Sequence, residues 1–184
     1  METNRLSNKM ELALIKQMTK ENHASHIYLA LGIWADTKGY SGVANFLFRH
    51  AQEERNHMIK IMSYILERGG APRVEAVDAP NLSPQTLTQV FDLVLKHEIE
   101  NTNAIYKLVD QAMEEKDWAT WNFAHWFVRE QMEEEKLALS LIDKLKIAGG
   151  DRASDESLFA LDHFLESAPD DVALATESTA DKPE

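Results

Sequence analysis

The stretch "HAQEERNHM", His50 to Met58, packs two glutamates and two histidines into nine residues, with apolar sequence on both sides. Glu54 and His57 stand three apart. On a helix that spacing presents one carboxylate oxygen and one imidazole nitrogen from the same face. Other acidic groups sit in comparable company: Glu21 in "KENHASHIY", Glu98 in "KHE", and Glu130 to Glu135 in "REQMEEEK". Two readings compete. Either these are solvated helix faces, the usual fate of a run such as Glu133–Glu135, or they are ligands for cations.

The elements that must carry these groups decide between the readings. Glycine and proline are few and cluster in "KGYSG", "RGGAPRVEAVDAPNLSP" and "GGDRAS"; the sequence between them reads as long helices. A first helix is expected after Ser7, its N-cap, to about Lys38. A second follows Ser41 and ends at Gly69-Gly70. A third starts with Ser83 as N-cap and Pro84 in the first turn, and runs to about Glu115. A fourth is capped by Asp117 and ends before Gly149-Gly150. A short fifth covers Asp155 to Glu166 and is apolar on one side. The short links make helices one and two, and three and four, antiparallel pairs. The link from two to three is long enough to cross the bundle, so those two helices run parallel. The fold class is all-α: a four-helix bundle with one long crossover and a short fifth helix, spanning residues 1–168. Residues 169–184 have the composition of a disordered tail.

The interior seam of each helix can be traced at alternating three- and four-residue steps. The first gives Leu14, Met18, Glu21, Tyr28, Leu31; the second Leu47, His50, Glu54, His57, Ile61. The third gives Phe91, Val94, Glu98, Ile105; the fourth Phe123, Phe127, Glu130, Glu134, Leu141. Each seam is apolar at both ends and acidic in the middle, at a similar depth from its helix start. Glu21, Glu54, Glu98 and Glu130 are therefore expected to converge at mid-height. Several ionised carboxylates do not share a dry interior uncompensated, since desolvation costs several kcal/mol per ion and like charges raise one another's pKa values. Two resolutions exist: the groups are protonated, or cations sit among them; the coincidence of four seams favours ligands over a wet face.

Composition narrows the rest. The net charge is -12, which argues against a nucleic-acid partner, whose phosphates call for basic patches. The chain has no cysteine, which excludes thiolate zinc sites, iron–sulfur clusters and disulfides. No apolar run has the length of a signal peptide or a membrane span, so a cytoplasmic protein with no membrane partner is the expectation.

Taken together, "KENHASHIY", "RHAQEERNHM", "KHE" and "REQMEEEK" resemble the bacterial-type non-haem ferritins, over about Ser7 to Glu166. The resemblance implies a ferritin-like fold and a di-iron ferroxidase centre. Glu21, Glu54 and His57 would hold the first iron, with Glu54 bridging; Glu54, Glu98 and Glu134 would hold the second. A third iron site would use Glu53, Glu130, Glu133 and Glu134. Gln131 matches a glutamine beside the pair. Tyr28 matches a tyrosine that can donate an electron, although seam aromatics equally well only pack, and packing is the favoured role for Trp126. Bacterioferritins carry a haem-binding methionine just after the second-helix ligand glutamate. Arg55 stands there in this chain, so no haem is expected. The family oxidises Fe(II) with O2 or H2O2 and stores the ferric product inside a homo-oligomer, a shell of twenty-four subunits (24-mer). His23, His26, His50, His97, His125 and His163 match no family role; His50, one turn before the ligands, could support them or simply pack. A metal buffer without redox chemistry, and a di-iron oxidase or peroxidase that stores nothing, are the rival readings.

Overall fold

In the computed structural model, which describes residues 4–166, five α-helices follow one another: α1 (Asn8–Thr37), α2 (Ser41–Glu67), α3 (Leu87–Glu115), α4 (Trp118–Ala148) and α5 (Asp155–Glu166). Ser7 caps α1 as expected, its hydroxyl accepting from the Met10 N–H at 2.9 Å. Asp117 caps α4 by accepting from the Thr120 N–H at 3.1 Å. Residues from 169 onward lie outside the described residues. Among the described residues no helix is long and apolar enough to cross a membrane.

Two helix starts differ from expectation. α3 begins at Leu87, capped by Thr86 rather than Ser83. Thr86 is extended and its hydroxyl accepts from the Gln89 N–H at 3.3 Å, while the Gln89 side chain accepts from the Gln85 N–H at 2.7 Å. That exchange resembles a capping box, and it outweighs the Ser-Pro signal three residues earlier. At α2, Ser41 is already helical and Tyr40 gives no side-chain cap. The cap comes from α5, where Asp162 accepts from the Val43 N–H at 2.8 Å. α5 crosses so close that a Cβ on Gly42 would overlap the Asp162 carbonyl.

Side-chain contacts set the topology. The Ser25 hydroxyl reaches the Ala51 carbonyl at 2.7 Å, joining α1 to α2. Ser7 hydrogen-bonds Glu115, and Gln17 bonds Asn101, so α1 and α3 run antiparallel. Tyr64 meets Thr120 and His50 lies near Glu134, so α2 and α4 do too. α2 and α3 are therefore parallel, joined by the crossover 68–86. Two apolar clusters fill the bundle. One holds Leu31, Leu47, Phe91, Leu141 and Leu145, closed by Leu161 and Leu165 of α5. The other holds Met10, Leu14, Ile61, Ile65, Ile105 and Phe127. Between them lies a polar waist.

Candidate metal centre

The seams deliver their polar residues to that waist from four helices. On α1, Glu21 continues the buried stripe of Leu14 and Met18 towards Tyr28. On α2, Glu54 and His57 fall between Leu47 and Ile61. On α3, His97, Glu98, Asn101 and Thr102 separate Val94 from Ile105. On α4, Gln131 and Glu134 separate Phe127 from Ala138. All of these polar side chains are buried.

Among the described residues, three groups bring ligand atoms within 4.8 Å of one another: Glu21, Glu54 and His57; Glu54, His97 and Glu98; and His50, Glu53 and Glu134. The first two share Glu54, so the waist has two adjoining donor sets with one carboxylate in common. Glu54 Oε2 lies 3.4 Å from His57 Nδ1 but makes no hydrogen bond, and Nε2 of buried His97 makes none either. Buried polar atoms are rarely left so. Lone pairs without a proton donor, beside other carboxylates, are what a cation would satisfy. The third group lies at the edge of the waist, with His50 Nε2 4.0 Å from Glu134 Oε2.

An amide framework surrounds the carboxylates. Gln17 donates to Glu21 Oε1 at 2.7 Å and to Asn101 Oδ1 at 2.8 Å. Asn101 donates to Glu21 Oε2 at 3.1 Å and to Gln131 Oε1 at 3.2 Å. Gln131 donates to Glu98 Oε2 at 3.1 Å. Tyr28 donates its phenol proton to Glu98 Oε1 at 2.6 Å, with its ring edge-on to His97. His57 packs edge-on against Trp126 and Phe127, and Lys60 covers the Trp126 face at 4.0 Å.

Burial dominates the proton affinities. It pushes Glu54 well above the usual carboxylate range, helped by Glu21 and Glu98. Glu134 rises likewise through burial and then through Glu98, Glu53, Glu130 and Glu133. Glu98 is pushed up to about 7, against the pull of its Tyr28 and Gln131 hydrogen bonds. Burial lowers His57, and takes His50 and His97 down to about 4. The imidazoles are thus neutral and their lone pairs free to ligate, while the carboxylates gain by exchanging protons for metal ions. Tyr28 is held well above its ordinary value by burial and the surrounding glutamates, so it remains a neutral phenol.

The expected residues separate into two shells. Glu21, Glu54, His57, Glu98, Tyr28 and Gln131 come together inside, and Glu134 is buried at the edge beside them, grouped with His50 and Glu53. Glu130 does not join them. The α4 seam runs through Ala124, Phe127, Gln131, Glu134 and Leu141: Phe127, Glu134 and Leu141 face inward as expected, while Ala124 and Gln131 take the places expected for Phe123 and Glu130. Glu130 is half-buried within the field of Lys60, and Glu133 is exposed. Glu53 and Glu133, with Glu130, lie within electrostatic reach of Glu134 at the outer side of the centre. Gln17, Asn101 and His97 were not foreseen as part of the site. The available signal was their position: each falls on or beside a seam where only apolar residues stay buried without partners.

A bundle of four long helices with carboxylates and imidazoles meeting at its waist defines the class of helical-bundle carboxylate metal-site proteins. Within that class, residues 11–148 match the family model described as the ferritin-like domain. The chain is 40% identical over 152 residues to the bacterial non-heme ferritin of Escherichia coli O6:H1, spanning 83% of this chain and 90% of that one. It is 36% identical over 160 residues to the bacterial non-heme ferritin of Bacteroides fragilis, spanning 87% and 98%. Among solved structures, the open pore ferritin of Archaeoglobus fulgidus superimposes with a TM-score of 0.85 at 36% identity, covering 89% of this chain and 98% of that one. The chain belongs to the ferritin family.

Proposed function

We propose that this chain is an iron-storage ferritin that oxidises Fe(II) at its waist and keeps the ferric product in a hollow shell. One observation carries the reading: Glu21, Glu54, Glu98, Glu134 and His57 are buried together, with a Glu54 oxygen left without a hydrogen bond. Oxygen donors with an imidazole suit ferrous iron, and anionic oxygen suits ferric iron better still. Glu21, Glu54 and His57 hold one iron; Glu54, Glu98 and Glu134 hold the next. Glu53, Glu130 and Glu133, with Glu134, form a third iron site on the outer side. Gln131 orients Glu98 through its hydrogen bond. Tyr28, bonded to Glu98, is placed to lend an electron.

Two Fe(II) each lose one electron, and O2 takes both with two protons to leave as hydrogen peroxide; H2O2 serves as an alternative oxidant. Supplying two electrons together avoids releasing a one-electron oxygen radical. The carboxylates stabilise the ferric state and so favour the oxidation. Apolar residues left exposed on the subunit, Leu29 and Ile33 on α1 and Phe159 and Phe164 on α5, support assembly into a cytoplasmic homo-oligomer of ferritin type.

Stopped-flow absorbance after mixing with Fe(II) in air tests the reading. The wild type should show a rapid ferric phase, and Glu54→Ala should lose it, because the change removes a donor from both positions. Wild-type initial rates in Glu54→Ala would reject the assignment. A dimer by size-exclusion mass would reject storage.

A further inference from the structure

The amide chain Gln17–Asn101–Gln131 runs between carboxylates of the two proposed iron positions, Glu21 on one side and Glu98 on the other. All three amides are buried, and Asn101 is fully so. Their directions are fixed by what they touch. The Gln131 amide protons face Glu98, so its oxygen faces Asn101. The Asn101 protons are then committed to Gln131 and Glu21, and its oxygen to Gln17. Turning Asn101 over would set its oxygen against a carboxylate and a carbonyl at once. Both amide protons of Asn101 are used, and only one arrangement satisfies the set.

From this geometry we infer that Asn101 is a positioning residue, which holds Glu21 as a ligand for the first metal and links it through Gln131 to Glu98 at the second. The inference rests on the reading of the waist as a two-metal site. Its physical content is an asymmetry. Glu21 receives two amide protons, one on each oxygen, which fix its plane. Glu54 Oε2 receives none. Glu21 is therefore a pinned terminal ligand, whereas Glu54 keeps a free lone pair for the shared position. A metal pulling on Glu98 shifts Gln131, and the shift passes through Asn101 to Glu21. Groups that orient metal ligands typically change affinity about 10–100-fold when removed.

Anaerobic calorimetric titration of the assembled protein with Co(II) reads this directly, with the Co(II) visible bands as a second signal. The wild type should take up at least two ions per subunit, the two at the waist in linked steps. Asn101→Asp keeps the shape and the oxygen but loses both donated protons. It should weaken the first step by at least about tenfold and shift the Co(II) bands. Asn101→Leu should do the same. Gln17→Met, which removes the donor to Glu21 Oε1 and to Asn101 Oδ1 but leaves the contacts of Gln131 with Asn101 and Glu98 in place, should weaken the first step most. Stepwise affinities and bands in Asn101→Asp equal to wild type would overturn the inference while leaving the two-metal reading intact. A wild type that fails to bind two ions per subunit would overturn both.

Discussion

The apolar ends of the bundle and its polar waist follow the same helical periodicity but hold opposite kinds of residue. At the ends, Phe91, Leu47 and Leu31 on one side and Met10, Ile61 and Phe127 on the other are buried among hydrocarbon. There, each buried side chain adds to stability in proportion to the area it removes from water. At the waist the same seam positions hold Glu21, Glu54, Glu98 and Glu134. Burial there opposes the charged forms, and stability is given up for the site proposed to hold cations. The comparison teaches that the fold rests on its ends and the chemistry on its middle. Substitutions in the two regions should therefore separate the two properties.

The widest separation should come from Phe91→Ala against Glu54→Ala. Phe91 is fully buried, and truncating such a side chain costs about 3–5 kcal/mol. Its thermal midpoint should fall, while oxidation per folded subunit stays close to wild type. Glu54→Ala should do the reverse, losing the fast oxidation with a far smaller change in midpoint. A Phe91→Ala protein that lost oxidation while keeping its midpoint would break the comparison.

A smaller effect concerns pH. Glu98 is raised from an ordinary 4.5 to about 7 in the folded protein, chiefly by burial. Between those values the folded state keeps a proton that the unfolded chain has released. The contribution of Glu98 to the stability of the metal-free protein therefore falls as pH rises from about 4.5 to about 7, and levels off above. Glu54 and Glu134, raised in the same direction, extend the decline upward. Thermal melts of metal-free protein at stepped pH should show Glu98→Gln gaining on the wild type as pH rises through that range. His50 and His97, lowered from 6.5 to about 4, act in the opposite sense below about 6.5, so a difference between the two proteins that stayed constant across the range would contradict the waist described here. Added metal should release protons and flatten the slope.

The smallest expected effect is that of Glu133→Ala. Glu133 is exposed, outside the buried set, so the first oxidation should keep its rate and only the iron taken up per subunit and its turnover should change. A large loss of initial rate would move Glu133 into the inner shell.

The contrast between ends and waist was legible in the sequence where the seams were unambiguous. Leu14, Met18, Glu21 and Tyr28 on α1, and Leu47, Glu54, His57 and Ile61 on α2, face inward as their spacing implies. On α4 Phe127, Glu134 and Leu141 face inward as their spacing implies, but the steps on either side of Phe127 mislead. Phe123 and Trp126 are large and apolar yet only half-buried, whereas small Ala124 and Ala138 take the interior positions. Volume drew the stripe towards the wrong side, so Glu130 was expected where Gln131 lies. Gln17 and Asn101 could not be recognised from residue type, since amides usually face water; only the partners brought from other helices make their burial tolerable. The cap on α2 was hidden for the same reason. It is supplied by Asp162, distant in sequence, through a contact that only the folded chain creates.

The central claim is that the buried acids of the waist hold two metal ions. Anomalous diffraction from crystals of the assembled protein soaked anaerobically in Fe(II) tests it most directly. The account requires two iron peaks per subunit on either side of Glu54, one against Glu21 and His57 and the other against Glu98. Iron found only on the outer surface, with the waist free of anomalous density, would contradict it.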